Sequence, residues 1–116
     1  MIQIVSSEGP AFDPTLSPDG RMIAYAAETA EGVDLFIADA RGEGRVRLTE
    51  DAAREEHPRF SPDGTRLLFS RLRPGATTRE LCLIPVLGGQ TVMIVERATQ
   101  AAWAPDGLRI AFVRFP

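Results

Sequence analysis

The tetrapeptide Ser17-Pro18-Asp19-Gly20 returns as Ser61-Pro62-Asp63-Gly64 and as Ala104-Pro105-Asp106-Gly107, at spacings of 44 and 43 residues. A fixed period of this size is the mark of one supersecondary unit copied along the chain. The match extends on both sides of the tetrapeptide. A large apolar residue precedes each copy (Leu16, Phe60, Trp103), and a short apolar run follows (Ile23-Ala24-Tyr25, Leu67-Leu68-Phe69, Ile110-Ala111-Phe112).

The repeated residues are those a tight hairpin needs. Proline presets φ for the first central position of a type I turn and aspartate suits the second. Glycine takes the left-handed position that closes such a hairpin. Ser17 and Ser61 can also bond the turn backbone, which Ala104 cannot, so the third turn is expected to be weaker. Asp19, Asp63 and Asp106 then read as turn formers on separate hairpins, not as ligands of a metal.

Short β-rich segments fill the rest of each period. After a loop (28–32; 71–78) comes Asp34-Leu35-Phe36-Ile37-Ala38 or Glu80-Leu81-Cys82-Leu83-Ile84. A glycine-marked turn (Gly42 and Gly44; Gly88-Gly89) leads to Arg45-Val46-Arg47-Leu48-Thr49 or Thr91-Val92-Met93-Ile94-Val95. No segment has the length or 3.6-residue period of a helix. Several strands are continuous apolar runs, as expected of sheets covered on both faces. Four short antiparallel strands per 40–45 residues is the pattern of a propeller blade, and the fold class is all-β.

The motif from Leu16 to Tyr25, followed by Asp34-Leu35-Phe36-Ile37 and Arg47-Leu48-Thr49, resembles the TolB-like, WD-like β-propeller repeat over essentially the whole chain. That resemblance implies a fold more than a function. The family includes periplasmic TolB proteins, propeller domains of serine peptidases, and scaffolds that bind protein or peptide partners.

With strands lettered a to d from the inside out, the chain reads d, abcd, abcd, ab. The bounds are a leading d strand in 1–7 (Ile2 to Val5), a blade over 8–50, a blade over 51–96, and a partial blade over 97–116 (Ala101 to Trp103, Arg109 to Arg114). Eleven strands make about 2.75 blades, too few to close a ring, because closed propellers have roughly 4–8. The open edges carry Ile2 and Ile4 at one end and Ile110 and Phe112 at the other. Bare apolar edges invite pairing, so a homo-oligomer is expected, a six-bladed dimer foremost. Leu16, Phe60 and Trp103 are expected to pack between blades.

Thirteen basic residues, all arginine, against 16 acidic ones leave a net charge of −3, the wrong sign for non-specific nucleic-acid binding. The one cysteine, Cys82, lies between leucines and reads as an inert buried thiol. Neither a signal peptide nor a membrane-spanning run is visible, which points to a soluble protein of the cytoplasm or periplasm and no membrane insertion.

Catalytic signatures are missing: there is one histidine, no lysine, no Gly-x-Ser-x-Gly elbow and no His-Glu-x-x-His. No catalytic residue, metal ligand or cofactor is assigned. His57 reads as a residue of the loop entering an inner strand, helping to pack it or lining the channel mouth. The charge-dense loop 50–56 reads as solvated. If d–a and b–c loops share one face, that face joins Glu8, Asp13, Glu28, Glu31, Glu50, Asp51, Glu55, Glu56 and Glu96 to Arg54, Arg71, Arg73, Arg79 and Arg97. The candidate binding face is Glu50, Asp51, Glu55, Glu56, His57 and Glu96, suited to a basic or dipolar peptide. The expected function is a non-enzymatic interaction module. The alternatives are the propeller portion of a TolB-like protein or of a peptidase, or a repeat fragment that only assembles.

Overall fold

A computed structural model describes residues 2–4 and 9–114, with ten strands and no helix among them. They are β1 (Ala11–Leu16), β2 (Met22–Glu28), β3 (Val33–Asp39), β4 (Val46–Arg47), β5 (Arg54–Phe60), β6 (Arg66–Leu72), β7 (Glu80–Pro85), β8 (Val92–Val95), β9 (Ala98–Trp103) and β10 (Ile110–Arg114). Each chain neighbour within β1–β4, β5–β8 and β9–β10 pairs antiparallel. These are blades A and B, each an a–b–c–d meander, and the a–b pair of a blade C. One parallel bridge, Val33 to Arg54, joins A to B through the backbone.

The three hairpins stand at equivalent ladder positions, closing Leu16 on Ile23, Phe60 on Leu67 and Trp103 on Ile110. Their glycines adopt φ of 73°, 77° and 73°. In the first two, serine Oγ donates to the aspartate Oδ1 at 2.6 Å and accepts from the backbone five residues on at 3.0 Å. The third keeps its Gly107 N–H to Ala104 carbonyl bond of 2.9 Å without a serine cross-tie.

Those cross-ties have a pH signature. Hydrogen bonds from the Ser61 and Thr65 hydroxyls and the Thr65 N–H hold the Asp63 carboxyl down at about 2, against 3.8 for a free aspartate. A depressed carboxyl stabilises the fold above its unfolded value and stops doing so as pH falls through the folded one. The contribution of Asp63 is therefore lost between pH 3.8 and about 2. Carboxyl-carbon NMR titration should find Asp63 near 2 and the Ser61→Ala variant shifted back toward 3.8; an unmoved midpoint would refute the role of the serine.

Side-chain alternation explains the continuous apolar runs. Ala24 and Ala26 of β2, with Leu35 and Ile37 of β3, face Leu67 and Phe69 of β6 and Cys82 and Ile84 of β7. Their chain neighbours Ile23, Tyr25, Ala27, Phe36 and Ala38 form a second cluster on the opposite face of blade A, where Tyr25 and Phe36 stack at 5.7 Å. Leu68 and Leu81 face blade C instead, with Trp103 and Ile110. Cys82 is buried in the A–B seam, and burial pushes its thiol up to about 11, as expected of an inert cysteine.

Phe60 sits in the A–B seam and Trp103 in the B–C seam, where its Nε1 donates to the Arg59 carbonyl at 3.2 Å. Leu16 departs from expectation: it is 52% exposed. The residue before the turn faces the preceding blade, and the described residues form no blade before A. The leading strand also differs. Ile2 to Ile4 are not in a ladder, and Val5 lies outside the described residues. Residues 2–4 still lie where a d strand belongs. Ile4 packs on the outer cluster of blade A as Leu48 packs on blade B, and the Gln3 carbonyl abuts Gly42, where a Cβ would approach it to 2.8 Å. Among the described residues no c strand lies beside them.

Candidate functional site

Each of the three a strands carries one left-handed residue at the same repeat position. Asp13, His57 and Gln100 have φ of 55°, 59° and 53°. Each falls in a register break of its a–b ladder. A non-glycine residue in this region costs on the order of 1–3 kcal/mol and persists only where its surroundings enforce it. The bulge turns these side chains out of the alternation that buries their neighbours. Asp13-Pro14 and His57-Pro58 share one repeat position, a signal present in the sequence and passed over; Gln100-Ala101 lacks the proline.

His57 is not a loop residue: strand β5 begins at Arg54, and His57 lies within it. Its Nδ1 is 2.9 Å from Ser70 Oγ, and Ser70 lies 3.3 Å from the Glu56 carbonyl. On the other side of the ring, Nε2 is 3.7 Å from Asp13 Oδ2. Arg79 also donates to Ser70 Oγ, at 3.2 Å. This serine is buried and held by both neighbours, so the pair orients a histidine and does not activate a nucleophile. A cleft of about 370 Å³ opens beside it, lined by His57, Arg59, Ser70, Thr99 and Gln100 over the apolar floor of Leu68, Phe69 and Leu81. It offers the Arg59 cation, amide and hydroxyl groups, and an imidazole.

The b–c and d–a loops do share one face. A Cβ on Gly32 would meet the Ala53 carbonyl at 2.7 Å, and Ala98 N–H donates to the Arg79 carbonyl at 3.0 Å. The face is not uniformly solvated, however. Glu55 and Glu56 are buried, because they belong to β5 and not to the preceding loop. Arg79 Nη2 at 2.7 Å and Arg54 Nε at 3.1 Å hold Glu56 Oε1 and keep its carboxyl below its usual value against the opposing effect of burial. Burial, with Asp51 alongside, drives Glu55 the other way, to about 8. Glu50 and Glu96 stay exposed, Asp51 is partly exposed, and Glu8 lies outside the described residues. No helix among the described residues is long and apolar enough to cross a membrane.

Repeated four-stranded meanders packed face to face, with bulged inner strands, define an open segment of a β-propeller. No family model matches the chain. It is 30% identical over 112 residues to tricorn protease homolog 1 of Streptomyces coelicolor, covering 93% of this chain and 10% of that protein. It is 33% identical over 73 residues to the Tol-Pal system protein TolB of Alcanivorax borkumensis, covering 62% and 17%. Among solved structures, the β-propeller domain of the trilobed protease from Pyrococcus furiosus superposes with a TM-score of 0.71 at 20% identity, over 94% of this chain and 36% of that one. The chain is thus similar to TolB and tricorn-type propellers, and the likeness shows a β-propeller fold. It spans well under half the length of each of these relatives.

Proposed function

We propose that the chain is a non-catalytic propeller segment that presents the cleft between His57 and Gln100 to a protein or peptide, and that further blades complete its ring. When the chain stands alone, a second copy supplies them. The observation that carries the second half is one repeat position seen twice. Phe60 is 8% exposed against blade A, whereas Leu16 is 52% exposed where the described residues form no preceding blade. At the other end Phe112 is 41% and Val113 48% exposed on β10, which among the described residues pairs with β9 alone. Two surfaces built to be covered, one at each end, fit a closed two-fold assembly.

Light scattering on a sizing column tests this. A dimer at micromolar concentration is expected, and Leu16→Asp should dissociate it without unfolding blades A and B. A folded wild-type monomer would overturn self-completion. The likeness to tricorn protease homologs favours a second reading, in which the segment serves a peptidase whose catalytic part lies elsewhere. In both readings this chain alone should not hydrolyse peptides, and turnover abolished by His57→Ala would refute that.

A further inference from the structure

At the A–B seam, three carboxylates converge. Asp34 comes from β3, Asp51 from the d–a loop and Glu55 from β5, and each can offer one oxygen such that all three lie within 4.8 Å of one another. Asp34 and Glu55 are completely buried, while Asp51 is partly exposed. Asp34 pairs with Arg47 and accepts from Thr49 Oγ1 at 3.3 Å and Thr29 Oγ1 at 3.4 Å. Asp51 Oδ1 accepts from Ala53 N at 2.9 Å.

Glu55 is different, because neither of its carboxylate oxygens has a hydrogen-bond partner. The nearest cation, Arg71 Nη1, is 3.9 Å from Oε2, and Arg71 Nε already donates to Glu80 at 2.8 Å. Arg47 is likewise divided among Asp34, Glu31 at 3.8 Å and Glu50 at 4.0 Å. Ionising a buried carboxyl without a partner is expensive, and burial with Asp51 alongside pushes this one up.

The repeat shows that the blade frame does not require it. The ladder pairs Ala11–Ala27, Glu55–Arg71 and Ala98–Arg114 are equivalent, so two blades place alanine where blade B places this glutamate. Ala98 is itself fully buried. A position that accepts a methyl group carries an unpartnered carboxyl only at the seam where two more acidic side chains meet it.

We propose that Asp34, Asp51 and Glu55 hold a divalent cation of the calcium class, tying blade A to blade B. The donors are all hard oxygens, which suits calcium and not a thiolate- or imidazole-seeking metal. Calcium–oxygen bonds of about 2.3–2.6 Å let ligands stand up to about 5 Å apart, whereas magnesium's bonds of about 2.0–2.1 Å reach only about 4.2 Å. The partly exposed Asp51 leaves a side open for the waters that complete a six- to eight-oxygen shell. This inference is independent of the peptide-binding and ring-completion readings.

Calorimetric titration of calcium chloride into the chelator-treated full chain tests it, with magnesium chloride in parallel and thermal melting as a second readout. The expected result is one calcium per chain, with a dissociation constant of about 10⁻⁵–10⁻³ M, weaker magnesium binding, and a melting temperature that rises with calcium. Glu55→Gln and Asp51→Asn should each weaken binding at least tenfold, while Asp106→Asn at a distant hairpin leaves it unchanged. Melting of each variant in chelator reports its folding, and Asp51→Asn, on the loop, keeps the test alive if Glu55→Gln fails to fold. A wild-type chain that shows neither heat nor a melting shift would overturn the proposal, as would undiminished affinity in both variants.

Discussion

Phe60→Ala should destabilise the chain by about 3–5 kcal/mol, the range found for removing a buried aromatic ring. Phe60 belongs to the largest apolar cluster, with Ala24, Leu35, Leu67, Phe69 and Ile84, so truncation opens a cavity in the only extensive seam between blades A and B. The molecule supplies its own control. Leu16 occupies the same repeat position and is 52% exposed, so Leu16→Ala should cost less than about 1 kcal/mol in a monomeric sample. Chemical denaturation of the two variants decides it. Equal losses would mean that the seam does not distinguish the two sites. A loss at Leu16 that grows with protein concentration would place that residue in an interface between copies.

Arg47→Leu should cost a comparable amount, roughly 3–5 kcal/mol, because it leaves the fully buried Asp34 with a charge and no counterion. The threonine hydroxyls at 3.3 and 3.4 Å are neutral donors at the long end of the hydrogen-bond range. Arg47→Leu combined with Asp34→Asn should recover most of the loss, since the cost lies in the stranded charge and not in the missing bond. Arg73→Leu is the contrast. Arg73 pairs with Glu80 at 2.8 Å but is 59% exposed, and such a pair is worth about 1 kcal/mol or less. If Arg47→Leu melts with the wild type in denaturant, the Asp34–Arg47 pair does not hold the fold together.

The hairpins, the blade period and the faces of β2, β3, β6 and β7 were legible because each follows from local chemistry: turn residues at a fixed interval and apolar runs between them. What the sequence hid was set by neighbours. Leu16 and Phe60 match in type and position, and only the blade preceding Phe60 separates their environments. Loop 50–56 read as solvated because four of its seven residues are acidic. The ladder in fact begins at Arg54, which carries Glu55 and Glu56 into the seam. Nor does composition reveal that Asp13, His57 and Gln100 share a left-handed backbone. That conformation comes from fitting an extra residue into each inner strand.

Blades A and B meet through side chains and a single backbone bridge at Val33 and Arg54. A junction made of interlocking apolar surfaces has no hydrogen-bond register to preserve, so the angle between neighbours can open or narrow by small shifts in packing. A continuous ladder would fix that angle. Units joined in this way can be added or removed one at a time, with stability accumulating unit by unit as in other stacked repeats. The same blade can therefore serve in circles of different size, its geometry tuned by a few seam residues while its strands stay unchanged.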